Sequence, residues 1–206
     1  RGRPWHSPKG SGIWMSILLR PQIHPMSASM LTLVAAMAVY DAISSRVEGC
    51  AIKWPNDIVI DGRKVCGILT EMSSELDNIH YVVIGIGINV NTDDFPEDIA
   101  SVAASMHVIT GAYYKRAEII ADTWKAFEKY YDLFVQTENL ALMVDAYNQR
   151  LVNMDRRVMI EEHGHRYEGT ARGIDAEGAL LVERDDGTTT SVISGEVSVR
   201  GVLGYV

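Results

Sequence analysis

The sequence predicts an α+β fold in which a mixed β-sheet with helices occupies residues 1–153 and a small β-barrel occupies 154–206. Three observations lead there. Strand-like and helix-like runs alternate over residues 13–90, residues 115–150 are helical in pattern, and after Met154 the chain breaks into short strand-like pieces. The boundary falls near 150–156.

The opening RGRPWHSPKG is rich in Gly, Pro and Arg and reads as loop, after which IWMSILLR (13–20) reads as a strand entering the core. PQIHP stops it. Residues 26–45 carry Leu, Met and Ala at helical spacing, with Ser27 or Ser29 as the expected cap. Residues 51–74 hold a short strand, a Pro-Asn-Asp interruption and two apolar runs joined by the hairpin signal Asp61-Gly62. HYVVIGIGINV (80–90) is apolar enough to be a central strand. In the helical stretch 115–150, Trp124, Phe127, Tyr131 and Phe134 lie on or near one face and read as packing surface. The tail RRVMIEE, HRYEGTARGID, GALLVERDD, TTTSVIS and EVSVRGV, punctuated by Gly and Asp turns, is the pattern of a small barrel. His163 and His165 flank a glycine, as at an exposed hairpin tip, and Arg156-Arg157 reads as a solvated strand edge.

Composition narrows the function classes. At 206 residues and 47% apolar content the chain can bury a core. A formal charge of −8 argues against a large nucleic-acid-binding surface. Cys50 and Cys66 are too few for a disulfide framework and read as reduced, partly buried thiols. No apolar run is expected to reach the ~18–20 residues that cross a bilayer, and no signal peptide is visible, so a soluble cytoplasmic protein without membrane contact is expected. The start without Met or a preceding element suggests a piece of a longer chain. The six histidines show no zinc spacing, no metal ligands are assigned, and no GxSxG elbow, Walker loop or dinucleotide fingerprint occurs.

Three segments could carry chemistry. In RGRPWHSPKGSG (1–12), Arg1, Arg3 and Lys9 lie among glycines, so cations and backbone donors could converge on phosphate; a solvated basic loop explains them equally well. In KWPNDIVIDGRKVCGILTE (53–71), Lys53 offers a compact charge for a carboxylate or α-phosphate, unless Asn56 and Asp57 only form a turn and Lys53 is exposed. GIGINVN (85–91) places Gly85 and Gly87 in an expected central strand, where close approach of a flat ligand or a bulge would account for them. Asn89 could read a purine edge or cap a turn.

In order and spacing these segments resemble the signature segments of biotin protein ligases, and GIDAEGALLV with SGEVSVR resembles the family's SH3-like C-terminal domain. The resemblance covers nearly the whole chain. It implies a catalytic domain like that of class II aminoacyl-tRNA synthetases, with biotin and ATP as substrates and Mg²⁺ expected. The implied reaction forms biotinyl-5′-AMP with release of pyrophosphate and then moves biotin to a lysine of a biotin carboxyl carrier protein, such as an acetyl-CoA carboxylase subunit. By resemblance Arg1, Gly2 and Arg3 belong to a loop closing over biotin and phosphate, and Trp5 helps cover the ligand. Lys53 looks like the lysine between the biotin carboxyl and the α-phosphate. The Gly67-Ile68-Leu69 backbone resembles the segment that contacts the biotin ring system, Gly87 is implied to be a ligand-binding position, and Asn89 resembles the asparagine near adenine. Part of the family's loop and pocket wall would precede residue 1. A homodimer is compatible with the family, and no DNA binding is expected of these residues. The rival readings are a lipoate or octanoyl transferase, which lacks the KWPND and GIGIN combination, and a non-catalytic biotinyl-AMP-binding regulatory module.

Overall fold

The computed structural model describes residues 7–162, 165–193 and 198–201. Its first sheet contains β1 (Ile13–Leu19), β2 (Cys50–Lys53), β3 (Asp57–Ile60), β4 (Arg63–Glu75) and β5 (Asn78–Ile88), in the order β1-β5-β4-β3-β2. Every strand pair in it is antiparallel, and parallel pairing is confined to isolated bridges at Ile52–Leu151 and Lys64–Ala103. The second sheet contains β6 (Arg157–Glu162), β7 (His165–Ile174), β8 (Leu180–Glu183), β9 (Thr189–Val192) and β10 (Ser198–Gly201), in the order β10-β6-β7-β8-β9. It is also antiparallel.

The Asp61-Gly62 signal holds: both residues have positive φ, at 48° and 76°, and join β3 to β4 by a tight turn. The first helical segment differs at its start. A 3-10 turn over Pro25–Met30 leads into α1 (Leu31–Ser44), and the Nδ1 of His24 accepts the N–H of Met26 at 3.2 Å. Neither Ser27 nor Ser29 caps it. Pro25 at the first position, whose missing N–H has no partner to lose, sets the start one turn earlier than α1 itself.

Pro25–Ser44 is a 20-residue helical stretch of mean hydropathy 1.6, so a run long and apolar enough to cross a bilayer does occur, contrary to the expectation from sequence. Of its 18-residue apolar window, 67% is buried inside the protein. A helix apolar nearly all round is what a site between two layers demands. α1 packs on the first sheet on one side and on α3 (Arg116–Thr137) on the other. Phe127 and Phe134 of α3 are buried, and Trp124 and Tyr131 pack against the core, as their spacing predicts. The short helices α2 (Met106–Thr110) and α4 (Val144–Asn148) complete the described helices.

Cys50 and Cys66 are both free thiols. Burial pushes the Cys50 thiol up to about 12, and burial reinforced by Asp57 raises Cys66 further. Both should therefore resist a thiolate-specific alkylating reagent at pH 8 in the native chain and react fully in denaturant. Stoichiometric labelling of either thiol in the native chain would contradict this. The folded chain holds these protons more tightly, so the contribution is complete below the unfolded thiol's value of 9.0 and is lost as pH rises toward about 12.

Candidate functional site

Two adjacent rows across the first sheet have opposite character. One runs Ile13–Ile88–Cys66–Ile58–Ile52 through successive strand registers, and every member is at most 3% exposed, facing the α1 side. The next row runs Trp14–Gly87–Gly67–Asp57–Lys53. Because side chains alternate with period two, this row faces away from α1. On the same face, two residues further along, lie Ser16, Gly85 and Leu69. Gly67, Gly85 and Gly87 therefore form a floor of bare backbone bordered by Trp14 and the 63%-exposed Leu69. Such a trough admits a flat ligand against main chain, at the cost of side chains that would otherwise pack there.

The charged end of the row is built by the turn Trp54-Pro55-Asn56 between β2 and β3. Lys53 and Asp57 stand in register at its two feet, 4% and 9% exposed. Lys53 is thus a buried group and not an exposed turn residue. Asn56 clamps the turn to β4: its Nδ2 donates to the Ile68 carbonyl at 2.8 Å, and its own carbonyl accepts the Ile68 N–H at 2.9 Å. Ile68 turns its side chain into the core, so it can serve the trough only through its main chain.

A second lysine reaches the trough that reading by sequence did not single out. The Lys64 ammonium lies 2.6 Å from Asp57 Oδ1 with its side chain 37% exposed. A Cβ built on Gly67 would sit 3.2 Å from Lys64 Nζ and Cε, so the lysine lies over that glycine. Strict alternation from Gly67 would send Lys64 to the core face. The register shift between Ile58 and Val59 inserts one extra residue in β4, pairs Lys64 with Val59, and turns it onto the face of Lys53 and Asp57. The only signal in the sequence was its place within the KWPND-to-GILTE segment.

Asn89 follows β5, its N–H donating to Val65 at 2.8 Å and its carbonyl accepting from Met106 at 3.0 Å. The next asparagine, Asn91, spends its side chain on the backbone of Tyr114. Arg1, Gly2, Arg3 and Trp5 lie outside the described residues, but the root of their segment is placed: Ser11 bonds Thr92, and Arg116 donates to the Gly12 carbonyl at 3.0 Å. Ser11 and Gly12 therefore lie beside the Gly87 and Asn89 end of the trough, the Ser11 carbonyl accepting the Asn91 N–H at 2.8 Å. Among the described residues no group of three or more His, Cys, Asp or Glu could hold a metal ion.

Residues 1–89 match the model of the Biotin/lipoate A/B protein ligase family, and residues 155–200 match that of the Biotin protein ligase C terminal domain. The Biotin--[acetyl-CoA-carboxylase] ligase of Paracoccus denitrificans is 31% identical over 188 residues, 88% of this chain and 78% of that protein. The chain belongs to the biotin protein ligase family. The Bifunctional ligase/repressor BirA of Bacillus spizizenii is 42% identical over 191 residues, but this chain spans only 58% of its length. Among solved structures, the biotin protein ligase of Aquifex aeolicus in complex with biotin and ATP superimposes with a TM-score of 0.84 at 27% identity, covering 97% of this chain and 82% of that one. In this chain the first family model takes in all of β1–β5 and ends at Asn89, and the second begins just before β6.

Proposed function

We propose that this chain is the ligase portion of a protein that activates biotin with ATP as biotinyl-5′-AMP and passes biotin to a lysine of a biotin carboxyl carrier domain. The observation that carries it is the glycine-floored trough ending at Lys64, Asp57 and Lys53. The resemblance to the Aquifex protein bound to biotin and ATP supports the same substrates here. A carboxylate oxygen of biotin attacks the α-phosphorus, a C–O–P bond forms, and the bond to pyrophosphate breaks. Both reactants are anionic, so a cation must lie between them. Lys64 is the half-exposed ammonium positioned for that task, with Lys53 buried behind it as support. In the second step the carrier amine attacks the acyl carbon and AMP leaves. By the resemblance, Arg1, Gly2 and Arg3 would belong to a loop that closes over the reactive anhydride and keeps water out, with Trp5 helping to cover the ligand.

Mg²⁺ would accompany ATP, but the described residues offer no cage of ligands for it, and no step is assigned to it. We further propose that residues 1–153 and 154–206 are separate domains, the first related in architecture to class II aminoacyl-tRNA synthetases and the second an SH3-like barrel. A cytoplasmic location, a homodimeric state and the absence of DNA binding by these residues belong to the same reading. The net charge of −8 supports the last of these.

Biotin-dependent exchange of labelled pyrophosphate into ATP tests the adenylation half, and biotin transfer to a purified carrier domain tests the other. Folded chain that performs neither would overturn the proposal. Gly67→Val supplies a sharper check. Its backbone is not in the left-handed region, so the fold tolerates a side chain, but the added methyls push Lys64 aside and fill the trough. Biotin affinity by calorimetry should fall by about 5- to 150-fold, given roughly 1–3 kcal/mol for overpacking. Unchanged affinity would remove Gly67 from the biotin site.

A further inference from the structure

The turn between β7 and β8 is far in sequence from the trough but is bonded to the residue between its two charged feet. Trp54 is 2% exposed, and its indole Nε1–H donates to the Gly178 carbonyl at 3.0 Å. Its backbone N–H donates to Asn153 Oδ1 at 3.2 Å. Two residues earlier, on β2, the connector between the sheets runs alongside: Ile52 N–H donates to Arg150 and Val152 N–H donates to Ile52. The strand carrying Lys53 is therefore held from outside the first sheet by residues 150–153 and 178.

The turn that reaches Trp54 is built to be stiff. Asp175 Oδ1 accepts the N–H groups of Glu177 and Ala179, and Asp175 N–H donates to Ala179. Gly178 sits at φ +80°, and a Cβ there would lie 3.2 Å from Leu140 and Leu33 and 3.4 Å from Met30. The left-handed backbone favours glycine, and any side chain there would press on these three residues. Leu140 N–H donates to Ala176 at 2.7 Å, fixing the turn from the other side.

We infer that the Asp175–Ala179 turn of the second sheet is a positioning element of the adenylation site, acting through Trp54 on the placement of Lys53 and Asp57. Nothing from the turn needs to touch substrate. Asp57 holds Lys64 by an ion pair, so a shift of the 54–56 turn moves both lysines relative to the trough. A displacement near 1 Å at a reacting centre can cost roughly a hundredfold in rate. This inference rests on the proposed biotin-activating reading of the same site.

The test replaces Trp54 with phenylalanine, which keeps an aromatic ring but deletes the N–H, and separately replaces Gly178 with alanine. Both are made in the full 206-residue chain. In biotin-dependent pyrophosphate exchange, kcat per folded molecule should fall about tenfold or more, with KM for biotin and ATP within about twofold. Backbone hydrogen exchange should lose protection at residues 53–57 and keep it in α1 and α3. Unchanged kcat per folded molecule, or loss of protection spread evenly over the chain, would mean that the contact is only structural and would overturn the inference. If the unaltered chain shows neither exchange nor transfer, the functional reading fails by itself. The hydrogen-exchange pattern then still decides whether the turn positions residues 53–57.

Discussion

Lys64→Ala is expected to lower biotin-dependent pyrophosphate exchange by about 10²–10³-fold, the cost of removing one preorganised charge from a developing anion. The effect should lie mainly in kcat, because the charge between carboxylate and α-phosphate matters most when the new bond forms. Stability should fall less than on loss of a fully buried pair, because the lysine is 37% exposed, although Asp57 is only 9% exposed and loses that charge contact. Arginine should rescue poorly: a planar fork cannot replace a compact ammonium beside Asp57 and above Gly67. Lys53→Ala should behave differently. It removes a buried group in register with Asp57, so activity and stability should fall together. Exchange by Lys64→Ala within threefold of the unaltered chain, with Lys53→Ala stable but inactive, would return the central role to Lys53.

Trp54→Ala is expected to destabilise the chain by about 3–5 kcal/mol, the range for truncating a large buried aromatic. The side chain is among the largest that are fully buried, and its loss leaves the Gly178 carbonyl without its donor. Against a typical total of about 5–15 kcal/mol, this should move a urea midpoint far and separate the two sheets' transitions if they can unfold independently. A midpoint within experimental error of the unaltered chain would show that Trp54 is not a joint between the sheets.

Much of the first sheet was legible because its signals are local. Asp61-Gly62 demanded a tight turn, the apolar alternation of β5 demanded a sheet, and the α3 aromatics recur at helical spacing. GIGINVN also showed its oddity directly, since glycines in a buried strand require an explanation. The helix start was less legible: His24, not a serine, accepts the first N–H, because the chain before Pro25 turns its imidazole back onto the helix.

By itself the sequence determined the order of elements, the glycine-bearing strand, the charged turn after Lys53 and membership of the family. Only the tertiary structure decided which charges share the trough. One extra residue in β4 reverses the face of Lys64, and a period-two pattern cannot reveal a bulge before the partner strand's register is known. Likewise, burial of Lys53 and the bond from Trp54 to Gly178 join residues distant along the chain, 124 positions apart in the latter case. Such contacts arise from how two sheets meet, a property of packing that no local run of residues encodes.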